Sequence, residues 1–282
     1  MPSHRAYSAK THNPYEHIQA EPMILDEIVQ HKREEVAARK SRVPLRSLEE
    51  RLEQSRPVRD FRGALRQEGI SVIAEIKRRS PSRGDILPDV DAIKLAALYE
   101  QAGARALSIL ADEKYFGGSL EDISKVAKHT KLPILCKEFI IDPYQLYEAR
   151  LAGADAALLI VRILSDDELR SFLHEATQLG LAALVETHDE AEIERALAAG
   201  ASIIGINNRD LDTLEVDINT TLRLKKQVPG GNTLVSESGI KTRREVTMLE
   251  AGGVDAVLVG ESLLTSENIH AQLRSLLHDD ES

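Results

Sequence analysis

Four copies of one short pattern constrain the fold of this chain more than any other feature. They are Gln101-Ala102-Gly103-Ala104, Leu151-Ala152-Gly153-Ala154, Ala198-Ala199-Gly200-Ala201 and Glu250-Ala251-Gly252-Gly253, with their glycines 50, 47 and 52 residues apart. Each copy stands between a segment of helical period and a short apolar run, and glycine suits the left-handed position just past a helix C-terminus. The apolar runs, at roughly 70–77, 105–112, 132–139, 155–163, 181–188, 202–209, 233–240 and 255–262, read as strands. Segments such as 91–104, 143–154, 166–179 and 189–199 carry the helical period between them. One glycine interval holds two strand–helix units, so four copies make eight. Eight units in about 210 residues predict an α/β fold, a closed (β/α)8 or TIM barrel. An open doubly wound sheet also alternates strands and helices, but it more often carries fewer strands and a GxGxxG turn, which this sequence lacks.

At 282 residues the chain holds one barrel with a front extension and no second barrel. Residues 69–282 are assigned to the barrel. Residues 23–68 are assigned to a helical extension capping the barrel, within which the stretch from Met23 to about Asp60, an amphipathic helix and a charged connector, is expected near the substrate. Residues 1–22 are polar, without the apolar centre of a secretory signal, and read as a disordered or tag-like leader, with Met23 a possible natural start. No apolar stretch approaches the roughly 20 residues of a membrane span. The single cysteine, Cys136, excludes an intramolecular disulfide and fits a reducing cytoplasm. By alternation it points toward the surrounding helices as a small buried residue. A net charge of −10 with few aromatics argues against a nucleic-acid surface. No cluster has metal-ligand spacing, and in His188-Asp189 the aspartate reads as a helix N-cap.

The chemistry concentrates at strand ends. Glu75 and Lys77 lie two residues apart on one strand and so share a face. Burying two charges costs several kcal/mol each unless they are paired or used. A structural ion pair explains that dyad alone, but Lys137, Glu186, Asn207 with Arg209, and Glu237 repeat the pattern on later strands. Active sites of this fold sit at the carboxyl-terminal mouth of the barrel, so the basic cluster Lys77-Arg78-Arg79 with Arg83 points to a small anionic substrate. Gly239 and Gly260, after strands seven and eight, are placed to let backbone N–H groups approach a phosphate. Lys241-Thr242-Arg243-Arg244 reads as a solvated helix start.

These residues resemble a family. Ile24-Leu25-Asp26-Glu27-Ile28-Val29, Glu75-Ile76-Lys77-Arg78-Arg79-Ser80-Pro81-Ser82, Lys114-Tyr115-Phe116-Gly117-Gly118-Ser119 and Leu135-Cys136-Lys137-Glu138-Phe139 match its motifs. So do Leu184-Val185-Glu186, Gly205-Ile206-Asn207-Asn208-Arg209-Asp210-Leu211 and Ser236-Glu237-Ser238-Gly239-Ile240. Over residues 23–277 the chain resembles indole-3-glycerol-phosphate synthase. The resemblance implies a carboxy-lyase of tryptophan biosynthesis that closes the ring of 1-(2-carboxyphenylamino)-1-deoxyribulose 5-phosphate, releasing carbon dioxide and water. It implies Lys137 as general acid, Glu186 as base toward the anilino nitrogen and Lys77 as a candidate acid for dehydration. It also implies Glu75 as the partner of the lysines, and Asn207, Glu237 and Ser238 as ligands of the sugar chain. Ser80, Arg209, Gly239, Gly260 and the backbone of Glu261 are expected at the substrate and its phosphate, with Phe116 and Phe139 sandwiching the anthranilate ring. No metal and no organic cofactor are expected, because rearomatisation of the substrate ring drives decarboxylation. The partner is a small phosphorylated anion, and the protein is expected to be a monomer or homodimer. Two alternatives are a phosphoribosylanthranilate isomerase, which needs a cysteine at the mouth, and a non-catalytic barrel.

Overall fold

A computed structural model describes residues 24–81, 83–211 and 213–278; the sequence reading of residues 1–22 lies outside them. Eight parallel strands form a closed ring: β1 (Ser71–Ile76), β2 (Ala106–Leu110), β3 (Ile134–Lys137), β4 (Ala156–Ile160), β5 (Ala182–Thr187), β6 (Ile203–Asn207), β7 (Thr233–Glu237) and β8 (Ala256–Val259). β1 closes the ring, with Ser71 opposite Ala256 of β8 and Ile73 opposite Ala106 of β2. Three helices precede the barrel: α1 (Ile24–Arg42), α2 (Leu45–Leu52) and α3 (Phe61–Leu65). The helices between and after the strands are α4 (Ala92–Ala102), α5 (Glu113–Phe116), α6 (Leu120–Ala127), α7 (Tyr144–Ala152), α8 (Asp166–Gln178) and α9 (Glu190–Ala198). They continue with α10 (Asn219–Leu224), α11 (Arg243–Ala251), α12 (Glu261–Leu264) and α13 (Ile269–Leu277). Each of the eight strand ranges expected from the sequence contains one of β1–β8.

Strand alternation divides the core in two. Ile73, Leu135, Leu158, Leu184, Ile203, Val235 and Leu258 fill the barrel interior. Val72, Ile109, Cys136, Val185, Ile204 and Val257 face outward into the helix layer, which is where the sequence placed the cysteine. Two residues further along β1, β3, β5 and β7, the same inward face carries Glu75, Lys137, Glu186 and Glu237. The barrel therefore changes from an apolar floor to an ionic mouth within one side-chain layer. Three of the four repeat glycines take the left-handed conformation, Gly103 at φ 102°, Gly153 at 96° and Gly200 at 91°. The fourth does not: Gly252, the residue after α11, keeps a right-handed φ of −70°, and Gly253 makes the turn at φ 80°.

The extension touches both ends of the barrel, which corrects the expectation that the whole stretch from Met23 to about Asp60 sits at the mouth. α1 buries Leu25, Ile28, Val29, Lys32 and Val36, a stripe at helical spacing with a charge at its centre. Lys32 is fully buried and pairs with Asp112 at 2.9 Å after β2, Glu138 at 3.0 Å after β3, and Glu35 at 2.8 Å. These pairs pin α1 beside the mouth, as does the Tyr115 hydroxyl donating to Glu27 at 3.2 Å. The connector then runs to the far end. Arg56 and Arg59 pair there with the buried carboxylate of Asp155, just ahead of β4. In α3, Phe61 and Leu65 join the interior core beneath Ile73 and Ala256 and close the amino-terminal end. Each such side chain contributes about 1.5–3 kcal/mol by leaving water.

Candidate active site

The residues singled out at strand ends converge. Lys137 Nζ lies 2.6 Å from Glu237 Oε2 and 3.8 Å from Glu186 Oε2. Lys77 Nζ lies 2.6 Å from Glu75 Oε1. Asn207 Nδ2 donates to Glu186 Oε1 at 3.1 Å, and the Ser238 hydroxyl donates to Asn207 Oδ1 at 2.8 Å. Ser238 holds φ at +68°, a strained backbone for a residue with a side chain, and this turn aims its hydroxyl back at Asn207. Glu75, Glu186 and Glu237 are all buried, yet Lys137 keeps some access to solvent.

Burial and charge compete at each group. Burial opposes the charge of Lys137, but Glu237, Glu186 and Glu75 outweigh it and hold the lysine protonated. Burial pushes Glu237 up to about 7, with Lys137 opposing and Glu186 adding to the rise. Glu186 takes the other direction. Burial would raise it, but the facing His188, Lys137 and Asn207 bring it down to about 2. Glu75 is likewise lowered against burial by Lys77 and Lys137. The mouth therefore offers a charged lysine, two carboxylates held below their ordinary range, Glu75 and Glu186, and one, Glu237, raised above it.

Most of the residues expected at the phosphate lie in the turns after β6, β7 and β8. Gly239 has φ +86°, and a β-carbon there would lie 2.6 Å from Val216 Cγ1. The backbone N–H of Arg209 donates to Asn207 Oδ1 at 3.0 Å, tying that turn to the carboxylate network. Ser80 is buried in a two-residue strand, Arg79–Ser80, paired with Gly84–Asp85 above β1. Glu261 pairs through its side chain with Arg83. Two expectations are corrected. The basic cluster is largely committed to the protein: Arg78 pairs with Asp122, and Arg79 donates to the carbonyl oxygens of Glu113 and Lys114. Phe116 and Phe139 touch each other, with centroids 5.9 Å apart and planes at 39°, so they form one aromatic wall rather than two faces of a sandwich.

The sequence pattern described as indole-3-glycerol phosphate synthase matches residues 25–276. Proteins of that name from Thermoanaerobacter pseudethanolicus and Dehalococcoides mccartyi are 48% identical over 242 residues and 46% identical over 259. The alignments cover 86% and 90% of this chain and 92% and 100% of those proteins. The chain belongs to the indole-3-glycerol phosphate synthase family. Solved structures at low identity share its fold. One is 3-hexulose-6-phosphate synthase, with a TM-score of 0.60 at 14% identity, covering 73% of this chain and 98% of that one. Another is from the tryptophan synthase complex of Pyrococcus furiosus, with a TM-score of 0.56 at 15% identity, covering 73% and 97%.

Three residues at the mouth receive no role in the sequence reading. The side chain of His188 is 4% exposed, its Nε2 lies 3.4 Å from Glu186 Oε1, and its Nδ1 is 2.9 Å from Glu192 Oε2. The spacing of Glu186 and His188 repeats that of Glu75 and Lys77, a usable signal. Gly205, inside β6, leaves the space taken by Glu237, whose Oε1 would lie 2.3 Å from a β-carbon there. Ser108, opposite Glu75 in the sheet, is buried with no hydrogen-bond partner for its hydroxyl among the described residues.

Proposed function

We propose that the ionic mouth carries out the ring closure, decarboxylation and dehydration that family membership gives this chain, a carboxy-lyase of tryptophan biosynthesis. The substrate is 1-(2-carboxyphenylamino)-1-deoxyribulose 5-phosphate. Its ring carbon bearing the carboxylate attacks the ribulose ketone, and Lys137 donates a proton to the developing alkoxide. Carbon dioxide leaves as the ring regains aromaticity. Lys77 then delivers a proton to the departing hydroxyl while Glu186 accepts the proton of the anilino nitrogen; loss of one proton from the adjacent methylene, with a proton returned to nitrogen, gives indole-3-glycerol phosphate and water. Glu75 pairs with Lys77 and orients it, and Asn207, Glu237 and Ser238 bind the glycerol hydroxyls. Ser80, Arg209, Gly239, Gly260 and the Glu261 backbone receive the phosphate, and Phe116 with Phe139 flanks the aromatic ring.

The observation that carries this reading is Lys137 held between Glu237 and Glu186 at the carboxyl-terminal ends of three strands. Cys136 is buried in the outer core with its thiol pushed up by burial, which disfavours the isomerase alternative. A cytoplasmic monomer or homodimer that binds no nucleic acid belongs to the same proposal, supported by the single cysteine and the net charge of −10. Among the described residues no helix is long and apolar enough to cross a membrane. The test is turnover of the synthetic substrate, read by indole fluorescence against a chain with no tryptophan. Absence of turnover, or isomerisation of phosphoribosylanthranilate instead, overturns it.

A further inference from the structure

The three carboxylates of the mouth face only two lysines. Glu75 is served by Lys77 and Glu237 by Lys137, each at 2.6 Å, while Lys137 stands off from Glu186 at 3.8 Å. Glu186 is 4% exposed and accepts from the neutral amide of Asn207. A carboxylate so enclosed takes up a proton unless a cation faces it. His188 supplies the remaining face. It leaves β5 on the same side as Glu186, its side chain is 4% exposed, and its Nε2 lies 3.4 Å from Glu186 Oε1. Its other nitrogen, Nδ1, is 2.9 Å from Glu192 Oε2 in α9, and the backbone N–H of His188 donates to that same oxygen at 2.8 Å. Glu192 is fixed in turn by Arg162, whose Nε donates to Glu192 Oε1 at 3.0 Å.

We propose that His188 is a positioning residue that works as an imidazolium between Glu186 and Glu192 and keeps Glu186 ionised for its role as base. The inference rests on the proposed role of Glu186. The groups facing the pair are Glu192 from α9, Arg162 from the turn after β4, Lys137 from β3 and Asn207 from β6. Arg162 is spent on Glu192, and Lys137 sits closer to Glu237, so His188 is the cation that completes the pairing. Burial would lower the imidazole, but Glu186 and Glu192 raise it to about 9, consistent with this geometry.

Two measurements test this. In the intact protein, the ring carbon and nitrogen shifts of His188 are followed by NMR from pH 6 to 9.5. The proposal expects a charged ring at pH 7.5 whose titration falls by at least about one unit in Glu186→Gln. A neutral His188 at pH 7.5 overturns the proposal, and this readout does not depend on catalysis. Second, in His188→Gln, which keeps an amide donor but no charge, kcat/KM falls at least about tenfold more at pH 5.5 than at pH 8, as an acid limb appears for Glu186. A uniform loss across pH, or no loss, overturns it. Full turnover by Glu186→Gln would instead reject Glu186 as base, whatever the NMR titration shows.

Discussion

The carboxylate of Glu75 occupies the space that a side chain on Gly260 would need: a β-carbon there would lie 2.3 Å from Glu75 Oε1. Gly260 therefore has a structural role apart from the anion proposed to approach it. It gives β1 room to present a carboxylate inside the ring. Gly260→Ala should displace Glu75 from Lys77 and lower kcat at least about tenfold, as misplacing a catalytic neighbour does. If steady-state kinetics show only a raised KM, the glycine serves the phosphate alone.

Lys137→Ala should lower turnover at least about a hundredfold, the usual contribution of a positioned acid. Binding of a product-like phosphate ester, followed by calorimetry, should persist. Near-normal turnover would reassign the acid.

Lys77 can be separated from Lys137 by isotope effects. If it protonates the leaving hydroxyl, Lys77→Met completes ring closure but becomes limited by loss of water, and the solvent deuterium effect grows. A raised KM with turnover preserved would show instead that Lys77 binds anionic groups in ground and transition states alike.

Gly239→Val should raise KM with little change in kcat. The position has φ +86° and Val216 Cγ1 where the first side-chain carbon would go, so the turn must deform away from its anion-binding shape. Unchanged apparent affinity for substrate would remove the phosphate from this turn.

Glu138 makes stability depend on pH. Burial raises it, Lys32 opposes and Asp112 adds, leaving it at about 7 against an ordinary 4.5. The folded state thus binds the proton more tightly than the unfolded chain. The stabilisation this gives is complete below about pH 4.5 and is lost as pH rises through 7, by up to about 3 kcal/mol. Urea unfolding at pH 5, 7 and 9 should show that slope in the native protein and a shallower one in Glu138→Gln. Equal slopes would remove Glu138 from the linkage.

The sequence reveals the barrel because its signals are local. Strand alternation, helix-ending glycines and i, i+2 charge pairs each need only a few neighbouring residues. What it hides depends on partners far along the chain. Lys32 interrupts an apolar helical stripe and resembles a surface charge until Asp112 and Glu138 are brought to it. Arg78 and Arg79 resemble an anion trap until Asp122 and the carbonyls of Glu113 and Lys114 take them. His188 resembles a residue leading into a helix because its meaning rests on Arg162 and Lys137 as well as on its neighbours. The separation of Phe116 from Phe139 is a packing distance, and no motif encodes it.

The floor of the barrel has a consequence for the order of assembly. Phe61 and Leu65 are made before any strand, yet the ring they seal closes only when β8 reaches β1, pairing Ala256 with Ser71. Arg62 in the same helix donates to Thr233 Oγ1 at the start of β7. The plug thus spends most of synthesis without its socket, exposing an aromatic and an aliphatic side chain that the nascent chain must keep from other partners. A lesion in α3 should therefore appear first as lost yield of folded protein rather than as altered catalysis.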